Sequence, residues 1–289
     1  MTLFFLSSIT ILLLVGISYF FFYQSKGIMR IEHLLELKRE YAKKTTGPKR
    51  LIVGGSDVLY SFDTDRIEQE TKQLTVNFGV NVGLGMGFLL DEVKQQIQPG
   101  DEVILCFAYS MYFKPAYNIF AYEYYRMFDK RKLVRFNWKQ HIYFLLSNFK
   151  LNMTYKQKQF DISESGAYIN VSGECLADRK NKPLYFPANF VETEVTLLLE
   201  NFCEMCKKQD IRVRLTYPST LGFNTYNKIT YIKQLTTYLE ENFDVIGKPA
   251  DYFVSHEAIY NSVYHVNMIG QLERTERLLT ELKEESSYV

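Results

Sequence analysis

The sequence is short of the residues that staple, charge or metallate a chain. Four cysteines in 289 residues (Cys106, Cys175, Cys203 and Cys206) do not make a disulfide framework, which agrees with a reducing compartment. Cys203 and Cys206 form one CxxC inside "VTLLLENFCEMCKK", a helical pattern with no second ligand pair, so they read as packed helix cysteines rather than a zinc site. Thirty-four basic residues against 33 acidic give a net charge of +1, and no zinc-finger, RRM or helix-turn-helix signature is present, so no nucleic-acid partner is expected. Histidine is scarce at four, and there is one tryptophan, Trp138. No internal repeat or low-complexity tract occurs.

What is present is apolar. A hydrophobic content of 47% excludes a disordered chain and is enough for a full core. "LFFLSSITILLLVGISYFFFY", Leu3 to Tyr23, carries no charge and is long enough to cross a hydrocarbon core as a helix. A cleaved signal peptide would need a basic n-region and a small-residue cleavage site, whereas this stretch ends in bulky aromatics suited to the membrane interface. Residues 1-25 are therefore expected to be a membrane anchor meeting lipid, and 26-48 a basic juxtamembrane helix or linker. Eight basic residues (Lys26, Arg30, Lys38, Arg39, Lys43, Lys44, Lys49 and Arg50) follow the span and none precedes it, which favours a cytoplasmic domain. The same charges also fit a solvated helix face.

From residue 49 to 289 short apolar runs alternate with helical patterns. "KRLIVGG", "EVILCFAY" and "IRVRLTYPS" read as strands and "LTVNFGVNVGLGMG" as a β-rich run; "FLLDEVKQQIQPGD", the CxxC segment and "YNKITYIKQLTTYLEENF" read as helices, and a last helix runs from about residue 267 to 284. The expected fold is α/β, a three-layer flavodoxin-like sandwich around a mostly parallel sheet. Residues 110 to 160, crowded with aromatic and basic side chains, read either as an insertion over the carboxyl ends of the strands or as extra core helices.

Ligands of an open parallel sheet bind beyond the carboxyl ends of its strands. Ser56 stands there, after Leu51-Ile52-Val53 and the pair Gly54-Gly55. It is a nucleophile if a base lies within hydrogen-bond reach and a turn serine otherwise. His256 and His265 follow the last strand candidates, with His265 read at the start of the final helix. The run "GLGMG" lacks the downstream acid of a dinucleotide fingerprint.

Three blocks, "GGSDVLYSFDTD", "VNVGLGMG" and "YNSVYHVNMIGQLERT", resemble the SGNH/GDSL hydrolase superfamily over about residues 49 to 283. The likeness is greatest to membrane-associated members of polysaccharide gene clusters and to relatives that handle acyl groups on teichoic acids or alginate. The resemblance implies a serine acyl-enzyme cycle with Ser56 as nucleophile and oxyanion donor, a second backbone donor near Gly83, and His265 as base, with no metal or diffusible cofactor. It also implies a carbohydrate or acyl-ester substrate and proteins of polysaccharide assembly as partners. Those relatives mostly work outside the membrane, against the charge asymmetry.

Two departures from the pattern matter. Where relatives carry aspartate before the histidine this chain has Asn261, leaving Glu257 as a candidate substitute acid or a Ser–His dyad without one. The strand "EVILCFAYS" ends in Ala108, Tyr109 and Ser110, where relatives carry Asn or another polar oxyanion donor. The chain is thus read as a membrane-anchored serine esterase or O-acyltransferase. The alternative is a degenerate SGNH fold used for binding or scaffolding.

Overall fold

The computed structural model describes residues 2–155 and 160–286. Five parallel strands form the central sheet: β1 (Arg50–Gly54), β2 (Thr75–Gly79), β3 (Glu102–Cys106), β4 (Arg212–Thr216) and β5 (Val245–Ile246). Their spatial order is β2-β1-β3-β4-β5, the flavodoxin-like arrangement in which the chain reverses its direction of winding beside β1. Strands β1 and β3 run in register from Arg50 opposite Glu102 to Gly54 opposite Cys106. Both are buried on both faces, which is why they read in the sequence as unbroken apolar runs rather than alternating ones.

The alternating side chains of the sheet sort into two layers. Leu51, Val53, Val103 and Leu105 pack with α5 (Met86–Val93), α8 (Glu194–Lys208) and α9 (Thr230–Asn242). Ile52, Ile104 and Ile246 face the opposite way, toward α3 (Ser56–Ser61), α4 (Thr64–Thr71) and α10 (Met268–Ser286). Cys203 and Cys206 lie in α8 as free thiols, and burial pushes each up to about 12.

The N-terminal region is more closely joined to this body than a linker would be. Helix α1 (Thr2–Phe22) is the one described helix apolar and long enough to span a membrane. Helix α2 (Lys26–Ala42), capped by Ser25, buries Ile28, Ile31, Leu34 and Leu35 against the domain. Four of the eight basic residues counted after the apolar run serve the fold. Arg39 pairs with Glu92, Lys49 with Asp101 at 2.7 Å, and Arg50 with Glu102 at 2.6 Å.

The fourth, Lys38, is fully buried beside the edge strand β2. Its Nζ donates to the carbonyls of Asn77 (2.6 Å) and Gly166 (2.5 Å), and burial pulls its pKa down from 10.5 to about 7. Between those values the unfolded chain holds the proton and the folded chain releases it. Stability therefore rises with pH through this window, by at most about 1.4 kcal/mol per unit. Denaturant titrations should show this rise from pH 7 to 9, and Lys38→Met should flatten it. An unchanged slope in the variant would assign the effect elsewhere.

The aromatic middle, residues 110 to 160, holds α6 (Ile119–Phe128) and α7 (Trp138–Thr154); residues 156–159 of that range lie outside the described residues. Tyr122, Tyr125, Phe136 and Phe144 join the main core, whereas Trp138 stays exposed. The last helix begins at Met268, so His265 does not start it. It sits instead in a hairpin of two short strands, Ile259–Ser262 and His265–Val266.

Candidate active site

Ser56 occupies the first turn of α3, directly beyond the carboxyl end of β1. The two preceding glycines are required sterically. A Cβ on Gly54 would overlap the Cys106 carbonyl oxygen on β3, and one on Gly55 would overlap Val82. The chain can therefore pass from strand to helix hard against its neighbours and present Ser56 at the sheet edge.

The hairpin brings the other partners. Ser262 pairs directly with His265, so Val263 and Tyr264 alone make the reversal and Asn261 lies back toward the imidazole. His265 Nε2 lies 2.9 Å from Ser56 Oγ across 209 residues of sequence. On the far side of the ring, Nδ1 lies 2.7 Å from Asn261 Oδ1. Donation from Nδ1–H to that amide oxygen leaves Nε2 as the acceptor facing Ser56, the tautomer a general base requires. Tyr60, one helical turn after Ser56, stacks on the imidazole with centroids 4.3 Å apart and planes 13° apart. It fixes the ring's tilt from a third direction.

Other expected residues fall differently. Glu257 has an exposed side chain and contributes only its backbone carbonyl, to Asn267 Nδ2 at 2.6 Å. Asn261 holds the position beside His265. The Gly83 N–H, expected to face an oxyanion, donates instead to Asn81 Oδ1 at 2.8 Å within its own turn. Asn81, not Gly83, lines the cavity that contains Ser56 and His265. Ala108 and Tyr109, after β3, are buried among apolar neighbours.

Sequence reasoning missed Asn81 and Tyr60. Asparagine in a glycine-bearing turn after a strand is ordinarily a local cap, and here its oxygen does cap that turn. Only the fold shows that the same side chain lies at the cavity wall. Tyr60 has helical spacing from Ser56, but so do core aromatics.

The cavity holds about 410 Å³ and is lined by α2, α3, α7 and the turn after β2. Its walls are largely apolar, with Ile31, Leu34, Leu59 and Phe160 among them. Among the described residues, Arg30 is the one Lys or Arg in the lining, and no Asp or Glu is part of it. Arg30 donates to the Tyr168 hydroxyl at 2.6 Å. Beneath the site, Asp57 is buried next to Ser56; burial pushes its carboxyl up to about 7, with the backbone amides of Asp57, Val58 and Gly55 pulling it back. Among the described residues, no cluster of His, Cys, Asp and Glu is arranged to hold a metal ion.

Fold and site together define a flavodoxin-like α/β protein with a hydrogen-bonded Ser–His–Asn series at the carboxyl edge of its sheet. No protein-family model matches the chain, and no curated protein does. Among solved structures it is similar to one described as "a putative platelet activating factor from Streptococcus pneumonia", with a TM-score of 0.43 and 12% identity over 87% of this chain and 92% of that one.

Proposed function

We propose that this chain is a membrane-anchored serine esterase or O-acyltransferase of the SGNH type. The observation that carries the reading is the Ser56–His265–Asn261 series opening into an apolar cavity. Ser56 Oγ attacks an ester carbonyl while His265 Nε2 takes its proton. The tetrahedral intermediate then collapses, and the leaving alcohol takes that proton from His265. The acyl group, now on Ser56, passes to water or to a sugar hydroxyl, whose proton His265 accepts and returns to Ser56 as the serine leaves. In this reading the oxyanion takes hydrogen bonds from the Ser56 N–H and from the side-chain amide of Asn81, which lines the same cavity.

The cavity suits a short acyl chain, and the anchoring helix fits an acceptor that is itself at the membrane, a cell-envelope polysaccharide or its lipid-linked precursor. The charge asymmetry around α1 favours the cytoplasmic side for the domain, where it would meet precursor before export. Treatment of the full-length protein in detergent with a fluorophosphonate, followed by peptide mapping, should give one adduct, on Ser56. A folded protein that takes no adduct, or takes it on another serine, would remove the esterase reading and favour a binding role.

A further inference from the structure

Helix α7 turns much of its apolar surface outward. Three of its polar residues face the protein: His141 Nδ1 lies 3.2 Å from the Tyr122 hydroxyl, Asn148 Nδ2 donates to the Ile119 carbonyl at 2.9 Å, and Asn152 Nδ2 donates to the Tyr19 hydroxyl at 2.9 Å. Phe144 enters the core, but five other apolar residues face away. Trp138, Ile142, Leu146, Phe149 and Met153 recur at intervals of four, four, three and four, which places them along one side of a helix. All five are exposed, Trp138 at 69%, Leu146 at 64% and Met153 at 75%. A stripe of this length open to water is not what a soluble surface carries.

Two further observations say what covers it. The stripe runs into the end of α1: Phe149 meets the Tyr19 ring edge-on at 5.4 Å, and Val15, Tyr19, Phe22 and Phe149 line one continuous groove. The flanks are basic. From Phe128 to Thr154 there are six Lys and Arg residues and a single acid, Asp129, which is paired with Arg131 at 3.0 Å. Lys130 Nζ sits 4.7 Å from the Phe21 ring centroid, at the level where α1 ends.

We infer that α7 lies in the plane of an anionic bilayer surface, its apolar stripe among the acyl-chain ends and Lys130, Arg131, Lys139 and Lys150 among the headgroups. The inference takes from the proposed function only the reading of α1 as a span and is independent of catalysis at Ser56. It has a consequence for that function. Asn148, Leu151, Asn152 and Thr154 of the same helix line the cavity holding Ser56, so the cavity would be loaded from the lipid side.

Trp138 is the chain's only tryptophan and is itself part of the stripe, so it is the probe. The full-length protein is reconstituted in vesicles of phosphatidylcholine and phosphatidylglycerol (about 3:1), with and without brominated acyl chains. Trp138 emission should be blue-shifted relative to a hydrated indole, protected from iodide and quenched at least twofold by the bromines. Ile142→Glu/Leu146→Glu should reverse all three while the near-UV circular dichroism of the domain is retained. An indole open to iodide and blind to the bromines would overturn the inference. So would a blue shift that disappears on dilution to one protein per vesicle, since a second copy would then be the cover. Equal quenching in phosphatidylcholine alone would remove the anionic preference. Failure to float with lipid at all would overturn it together with the span, whatever the serine reactivity.

Discussion

If the chain is the esterase proposed, Ser56→Ala should lower kcat/KM on an activated acetyl ester by about 10³-fold or more, and adding His265→Ala should lower it little further. The reason is that the two groups act as one unit. Without the hydroxyl the imidazole has no proton to take, and without the imidazole the hydroxyl is a poor nucleophile. With Ser56 Oγ and His265 Nε2 2.9 Å apart, the coupling should be nearly complete. Multiplying losses in the double variant would mean that the two side chains do not share a step. Asn261→Asp tests the third member in the opposite direction. The amide oxygen already selects the productive tautomer, so the variant adds only a full charge beside the imidazolium. That addition should raise kcat by about 10- to 100-fold, which is ~1.4 to 2.7 kcal/mol of barrier. The acid limb of the pH–rate profile should move to higher pH, because a carboxylate favours the protonated ring. A slower Asn261→Asp enzyme would show that the site is tuned to a neutral partner.

The largest loss of stability is expected at Arg126 in α6. Its guanidinium donates to the carbonyls of Tyr19 (3.0 Å), Phe20 (2.7 Å) and Tyr23 (2.7 Å) at the end of α1, and pairs with Glu123 at 2.9 Å. Both members of the pair are fully buried. Arg126→Met leaves a carboxylate uncompensated and takes the guanidinium from the carbonyls of Phe20 and Tyr23, while the Tyr19 carbonyl keeps the Tyr23 N–H, for a loss of about 3–5 kcal/mol. For a domain of this size that corresponds to a fall in Tm of roughly 6–20 °C. The same variant should become sensitive to limited proteolysis between Tyr23 and Lys26. Glu123→Gln/Arg126→Met should recover part of the stability, since the orphaned charge is gone. A fall of less than about 1 kcal/mol would place Arg126 among exposed pairs in its energetic weight.

The sheet was legible because parallel strands buried on both faces leave continuous apolar runs, and the order 2-1-3-4-5 follows from winding such units in sequence. The neighbourhood of Ser56 was legible for a related reason: residues that follow a strand's carboxyl end have one place to go. The hairpin was not. A pair of strands as short as His265–Val266 lies below the length at which alternation can be read, and the adjoining helical pattern absorbed His265. Periodicity also gave α7 a face without saying which way it points. That direction depends on partners on other helices, Tyr122 of α6 and the distant Tyr19 of α1, whose hydroxyls meet His141 and Asn152. Asn81 stayed hidden because its local role as a cap is real.

The collar that Arg126 places around the end of α1 gives the protein no swivel. An anchored domain on a loose tether explores a hemisphere of solvent and behaves kinetically as a solute. Seated in a bilayer, this one would hold Ser56 at a single height, and its reaction would be counted in molecules per unit of surface. Diluting the membrane with inert lipid would slow it, whereas diluting the suspension with buffer would not.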